Sequence, residues 1–237
     1  DLSKADLSPH TDIKFGFYTI LLSECKCEAY AYGHQCCDFS DGTLVCLTPG
    51  ESISMKENNK EFPSKGWILA FHPDLICGTP LGLNIHNYTF FSYCPEEALH
   101  LSLREKQIIL EFLERIRQEL ERCIDRHSKK IISKYIELLL DYCTRFYERQ
   151  FITRSEVNKK VFREFNHLLD NHFNVKVSLS TDVLSDEYCA NLLHLSPAYF
   201  NDLLKYEIGK EFKEYIQFKR FEIAKGWLVN TDKTLGQ

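Results

Sequence analysis

Ten cysteines and nine histidines are the residues of this 237-residue chain best equipped for metal or nucleophilic chemistry. Cys25-x-Cys27 and the adjacent Cys36-Cys37 stand closer together than the usual zinc-knuckle spacing. The cysteines, Cys46, Cys77, Cys94, Cys123, Cys143 and Cys189 among them, are expected to be free thiols, some packed as small apolar residues, with no bound metal. His10, His34, His72, His86 and His100 form no His-x-His pair of the kind that would converge on one ion from a strand. His72, ahead of Pro73, is expected to hydrogen-bond structurally. A phosphate loop of the Gly-x-x-x-x-Gly-Lys type is missing, as is a Gly-x-Ser-x-Gly elbow. Glu119, Glu121 and Asp125 form solvated faces. The expectation is a protein that is not an enzyme and needs no cofactor.

A different chemistry is written into Ser185 to Gly209. Ser185 can cap a short helix whose apolar side is Tyr188, Cys189, Leu192 and Leu193. Ala190 supplies a small residue where two helices cross closely, and His194-Leu195 fits a tight turn. Ser196-Pro197, a cap followed by proline at the first helical position, starts a second helix. Tyr199, Phe200, Leu203 and Leu204 line one side of it, and Gly209 ends it in a left-handed conformation. Two short helices on such a turn make a helix-turn-helix, whose second helix enters the major groove of DNA. The residues placed to meet base edges are Ala198, Asn201, Asp202 and Lys205, with Ser196 and its neighbouring amides at the positive helix end. Short helix pairs with a Ser-Pro start also occur inside ordinary helical proteins, so this segment does not choose by itself.

The elements that must position these residues fall into three parts. Residues 1–101 are β-rich: Phe15–Leu22, Glu28–Tyr32, Thr43–Leu47, Glu51–Met55, Trp67–His72 and Tyr88–Tyr93 are strand-like runs separated by turn signals, a pattern of sandwiches and barrels. Residues 102–154 are helical. Ser102-Leu103-Arg104-Glu105 is a capping box, and apolar residues recur at helical spacing on both sides of a break at Asp125–Ser128. Residues 155–237 hold a third helix from about Ser155 to Phe173, a polar stretch over Asn174–Thr181, the helix pair, and a long helix over Glu211–Asn230. The fold class is thus α+β.

Net charge is −5, so the molecule as a whole does not attract DNA electrostatically. Residues 151–237 balance 12 basic against 12 acidic side chains, and any reading surface relies on local placement of Lys205, Lys210, Lys219 and Arg220. No apolar run approaches the roughly 18 residues that span a bilayer, and Asp1–Ala5 has no apolar segment of signal-peptide type. A cytoplasmic protein with no membrane partner is expected.

The order Leu195-Ser196-Pro197-x-x-Phe200, Gly209-Lys210, Tyr215-Ile216, Arg220-Phe221-x-x-Ala224-Lys225, Leu228 and Asn230-Thr231-Asp232 resembles the AraC family of bacterial transcription regulators. The upstream stretch from Gly66-Trp67 through Phe71-His72-Pro73-Asp74-Leu75-Ile76, Pro80-Leu81-Gly82 and Phe90-Phe91-Ser92-Tyr93 to Glu97–Ser102 looks like one subgroup of such regulators. The resemblance implies a cupin-like barrel that senses a small ligand, an antiparallel helical pair that makes a homodimer, and a linker helix between two helix-turn-helix units. Here the chain stops where the second unit would begin, which leads to an expectation of a shortened DNA-binding part and weak DNA binding. Asp202 also departs from the basic residue often found in the family's recognition helix. On this reading Phe15, Phe17, Tyr30, Trp67, Phe71 and Phe90 line the effector pocket, and Leu138, Leu139, Tyr142 and Phe146 contribute to the dimer contact. Two rivals remain: a sensory or protein-interaction module that binds no DNA, and a cupin metalloenzyme.

Overall fold

A computed structural model describes residues 12–14, 16–23, 36–54, 65–175 and 184–230. The chain divides into two compact units, Asp1–Ser155 and Glu156–Gln237.

In the first unit β2 (Tyr18–Ser23) and β3 (Gly42–Leu47) are the central strands of an antiparallel four-stranded sheet, with β5 (Gly66–Phe71) beside β2 and β6 (Leu99–Leu101) beside β3. Both central strands are almost continuously buried, because an inner strand covered on both faces has no polar side to show. β1 (Asp12–Lys14) and β4 (Ser52–Ser54) pair separately as a two-stranded ribbon. The expectation of a cupin-like barrel is therefore corrected: among the described residues the sheet is open, with β5 and β6 at its edges.

The reason at the β6 edge is visible. The His100 N–H donates to Gln150 Oε1 (2.8 Å), Gln150 Nε2 donates to the Ala98 carbonyl (3.0 Å), and Arg149 Nη2 donates to the His100 carbonyl (2.7 Å). Two helix side chains thus occupy the backbone groups that a further strand would need.

Those side chains come from α4 (Ser128–Thr153), which packs antiparallel on α3 (Leu103–Leu120). The capping box at Ser102 forms as its sequence predicts, with Glu105 N donating to Ser102 Oγ and Ser102 N to Glu105 Oε2. Ile109, Leu113 and Ile116 of α3 are buried, as are Ile132, Ile136, Leu139 and Cys143 of α4.

Two short helices, α1 (Pro73–Ile76) and α2 (Pro80–Asn84), follow β5. His72 caps α1 through Nδ1, which accepts from Asp74 N. Gly82 is required by close approach: a Cβ there would stand 2.2 Å from the Ile76 carbonyl oxygen. Tyr88–Tyr93, expected as a strand, holds a 3₁₀ turn at Thr89–Ser92. The turn lets the neighbours Phe90 and Phe91 both be buried, whereas a strand would send them to opposite faces.

The second unit is helical: α5 (Ser155–Val175), α6 (Asp186–Leu192), α7 (Pro197–Ile208) and α8 (Phe212–Asn230). Phe165 and Phe200, both fully buried, meet edge to face at 5.0 Å. Around them pack Leu169, Cys189, Ala190, Leu204, Phe212 and Ile216. Ala190 is completely buried, consistent with a small residue at a close helix crossing.

Candidate nucleic-acid interface

The joint between α6 and α7 is built from backbone bonds. His194 N donates to the Asn191 carbonyl (3.1 Å) and Leu195 N to the Ala190 carbonyl (2.9 Å), the paired bonds of a Schellman ending. His194 takes the left-handed position, φ 56°, and no other described non-glycine residue has positive φ. Ser185 and Ser196 cap the two helices through their hydroxyls, which accept from Tyr188 N and Tyr199 N. Gly209, φ 67°, closes α7, with its N–H donating to the Lys205 carbonyl. The result is two short helices separated by Leu193–Ser196, with Tyr199, Phe200, Leu203 and Leu204 of α7 buried.

The candidate reading residues do not all share one environment. Lys205 is exposed on α7, and Lys210 lies exposed just beyond it, 5.9 Å from the Phe218 ring. Ala198 and Asp202 are half-buried. Ser196 is buried at its capping position rather than offered to solvent as a phosphate ligand. Asn201 is held in place: its Nδ2 donates to Asp186 Oδ2 and to the Pro197 carbonyl, each at 3.0 Å. That amide therefore locks the start of α6 to α7 and is not free for the bidentate contact asparagine makes with adenine. On α8 Arg220 is exposed, and Lys219 lies half-buried with Nζ 5.8 Å from the Tyr215 ring. Asp186 is a partner that residue order offers no cause to single out, since an acidic residue in a first helical turn is ordinary.

Two residues expected to line an effector pocket, Phe71 and Phe90, belong to one run of ring contacts through Tyr18 and Phe91. Phe71 is buried against Tyr18, and Phe90 is buried between Phe91 and Tyr147. Trp67 is half-buried on β5, and Phe17 is exposed, meeting His72 edge-on. Phe15 and Tyr30 lie outside the described residues, as do the Glu28–Tyr32 run, Cys25 and Cys27. Of the expected dimer residues, Leu139 and Phe146 are buried within their own unit and Tyr142 packs on Phe112 and Phe146, while Leu138 is exposed.

Among the described residues no cluster of three or more His, Cys, Asp or Glu is placed to hold a metal ion. None of their helices is long and apolar enough to cross a membrane.

A 77-residue stretch, 32% of the chain, is 30% identical to the uncharacterized HTH-type transcriptional regulator YtdP of Bacillus subtilis. The match spans about a tenth of that relative's length (10%). No protein-family model matches the chain, and no solved structure matches it. The chain is thus similar over one third of its length to a regulator of the helix-turn-helix type, and its α6–turn–α7 geometry has the form of that unit.

Proposed function

We propose that this chain is a transcription regulator of the AraC type that binds double-stranded DNA through α6 and α7. The observation that carries the reading is the α6–α7 joint: a left-handed turn residue, a serine-capped second helix and a buried apolar seam, with Lys205 outward. The similarity to a helix-turn-helix regulator supports it. In this reading α7 enters the major groove, Ala198, Asp202 and Lys205 face the bases, and Lys210, Lys219 and Arg220 meet phosphates. Asn201 sets the angle of α7 instead of reading a base.

The reading extends to a homodimer and a small effector. Ile131 and Leu138 are exposed seven residues apart on α4, with half-buried Tyr135 between them and half-buried Tyr142 one turn further on, a stripe the unit's own core leaves partly uncovered. Half-buried Trp67 is one of the aromatics that contribute to the effector contact on this reading, and the effector must favour one arrangement of the chain to have any effect. The chain performs no catalysis and needs no cofactor.

A protein partner is the second reading, favoured by exposed Tyr188 and Leu192 on successive turns of α6. Selection from a pool of randomised duplexes separates the two. Enrichment of a common sequence, with affinity that falls as salt rises, supports the DNA reading. A pool that stays random after repeated rounds overturns it.

A further inference from the structure

The turn from Cys36 to Asp41 grips the helical pair at the end of α4. Arg154, which caps the C-terminus of α4, donates from Nε to Asp38 Oδ1 (2.9 Å) and from Nη2 to Asp38 Oδ2. The Asp38 side chain is fully buried and that of Arg154 is 6% exposed. Phe39 lies under the Arg149 guanidinium at 4.7 Å. Asp41 Oδ2 accepts from Leu103 N (3.1 Å), and Asp41 N donates to the Leu101 carbonyl (3.2 Å). Ahead of this clasp stand two exposed free thiols on adjacent residues, Cys36 and Cys37.

We propose that Cys36 and Cys37 are a bidentate site for a trivalent arsenical, and that filling it unlatches Asp38 from Arg154. Thiols are the soft ligands such a centre selects. Zinc needs four ligands, and among the described residues no group of three or more His, Cys, Asp or Glu is placed to hold a metal ion. A trivalent arsenical needs only two thiols, because it brings its own third substituent. With phenylarsine oxide the arsenic–oxygen bond breaks and two arsenic–sulfur bonds form. Both thiol protons leave with the oxygen as water, and arsenic stays trivalent. Burial and the adjoining Asp38 carboxylate hold the Cys37 thiol above its ordinary value, so at neutral pH it carries the proton this condensation removes.

Drawing both sulfurs to one atom closes a ring across the Cys36–Cys37 peptide and re-sets the dihedrals that lead into Asp38. A bidentate carboxylate–guanidinium pair tolerates little displacement, and parting it removes the closest ionic contact of a buried carboxylate that also has His100 Nε2 at 3.9 Å. Ser155, the next residue after Arg154, opens α5, so the end of α4 that feeds the second unit is what loosens. The coupling is reciprocal: if binding weakens the latch, a broken latch strengthens binding.

The test uses the full chain without DNA, so its outcome is independent of the DNA reading. Phenylarsine oxide is titrated while iodoacetamide labelling and backbone hydrogen exchange are mapped by mass spectrometry. Both Cys36 and Cys37 should lose labelling together, and amides 150–154 should exchange about tenfold faster. The double variant Cys36→Ser, Cys37→Ser should show neither effect. Asp38→Asn should bind the arsenical about 5- to 100-fold more tightly. Labelling that persists at the pair, unchanged exchange on binding, an unaltered response in the double variant, or unchanged affinity in Asp38→Asn overturns the proposal.

Discussion

Tyr215 donates its phenol hydrogen to Asn166 Oδ1 at 2.6 Å, and this bond fixes α8 against α5. Asn166 is itself oriented, since its Nδ2 donates to the Phe162 carbonyl one turn back. The Tyr215 ring meets Phe162 and Phe165, so one side chain joins the polar and apolar parts of the contact. Tyr215→Phe keeps the ring and strands the Asn166 oxygen. It should cost about 1 kcal/mol of unfolding free energy in a urea titration. A change within error would show that water satisfies Asn166 equally well.

His194 occupies a left-handed backbone position that disfavours any residue with a Cβ. His194→Gly should raise the urea midpoint, by about 0.5–1 kcal/mol in free energy, and His194→Val should lower it by about 1 kcal/mol or more. Equal midpoints for both variants would mean that the turn relaxes at no cost.

Lys205 and Asn201 should behave differently although they lie four residues apart. Lys205→Ala should leave the fold intact and lower the slope of log affinity against log salt by about one unit on a selected duplex. Asn201→Ala removes the bond that ties α7 to Asp186 and the bond to the Pro197 carbonyl one turn back in α7. It should cost about 1 kcal/mol in stability and weaken binding without relaxing preference at a single base. A selection in which Asn201→Ala loses discrimination at one position would return that residue to a reading role.

Asp125 governs the pH response of the hairpin tip. Its carboxylate accepts from the His127 N–H (2.7 Å), the Ser128 N–H (3.0 Å) and the Ser128 hydroxyl (3.2 Å). These bonds, the His127 one foremost, hold its carboxyl below the ordinary value of 3.8. A carboxyl depressed in the folded state stabilises fully above its unfolded value and loses that contribution as pH falls through the folded one. Protection factors at the first turn of α4 should therefore drop below about pH 4. Asp125→Asn should show no such step, and a wild-type profile flat to pH 2 would count against the assignment.

Much of the local structure was legible in residue order. Ser102 with Glu105, Ser185, and Ser196 with Pro197 marked helix starts that the structure contains, and the α5 and α7 boundaries followed from apolar spacing and Gly209. Such signals work because capping and helical periodicity are satisfied within a few residues. Phe90 and Phe91 show the limit: a short aromatic run fits a strand or a turn equally well, and burial against Tyr147 and Tyr18 chose the turn.

Residue order alone settles the longer helices, the serine caps of α3, α6 and α7, and the apolar faces, since those depend on neighbours three or four residues away. Packing is what leaves the described sheet open, ties Asn201 to Asp186, and buries Asp38 on Arg154, 116 residues further along. Pairings at that separation depend on how whole elements pack. A lone Asp or Arg in a sequence carries no sign of which opposite charge it will meet once water is excluded.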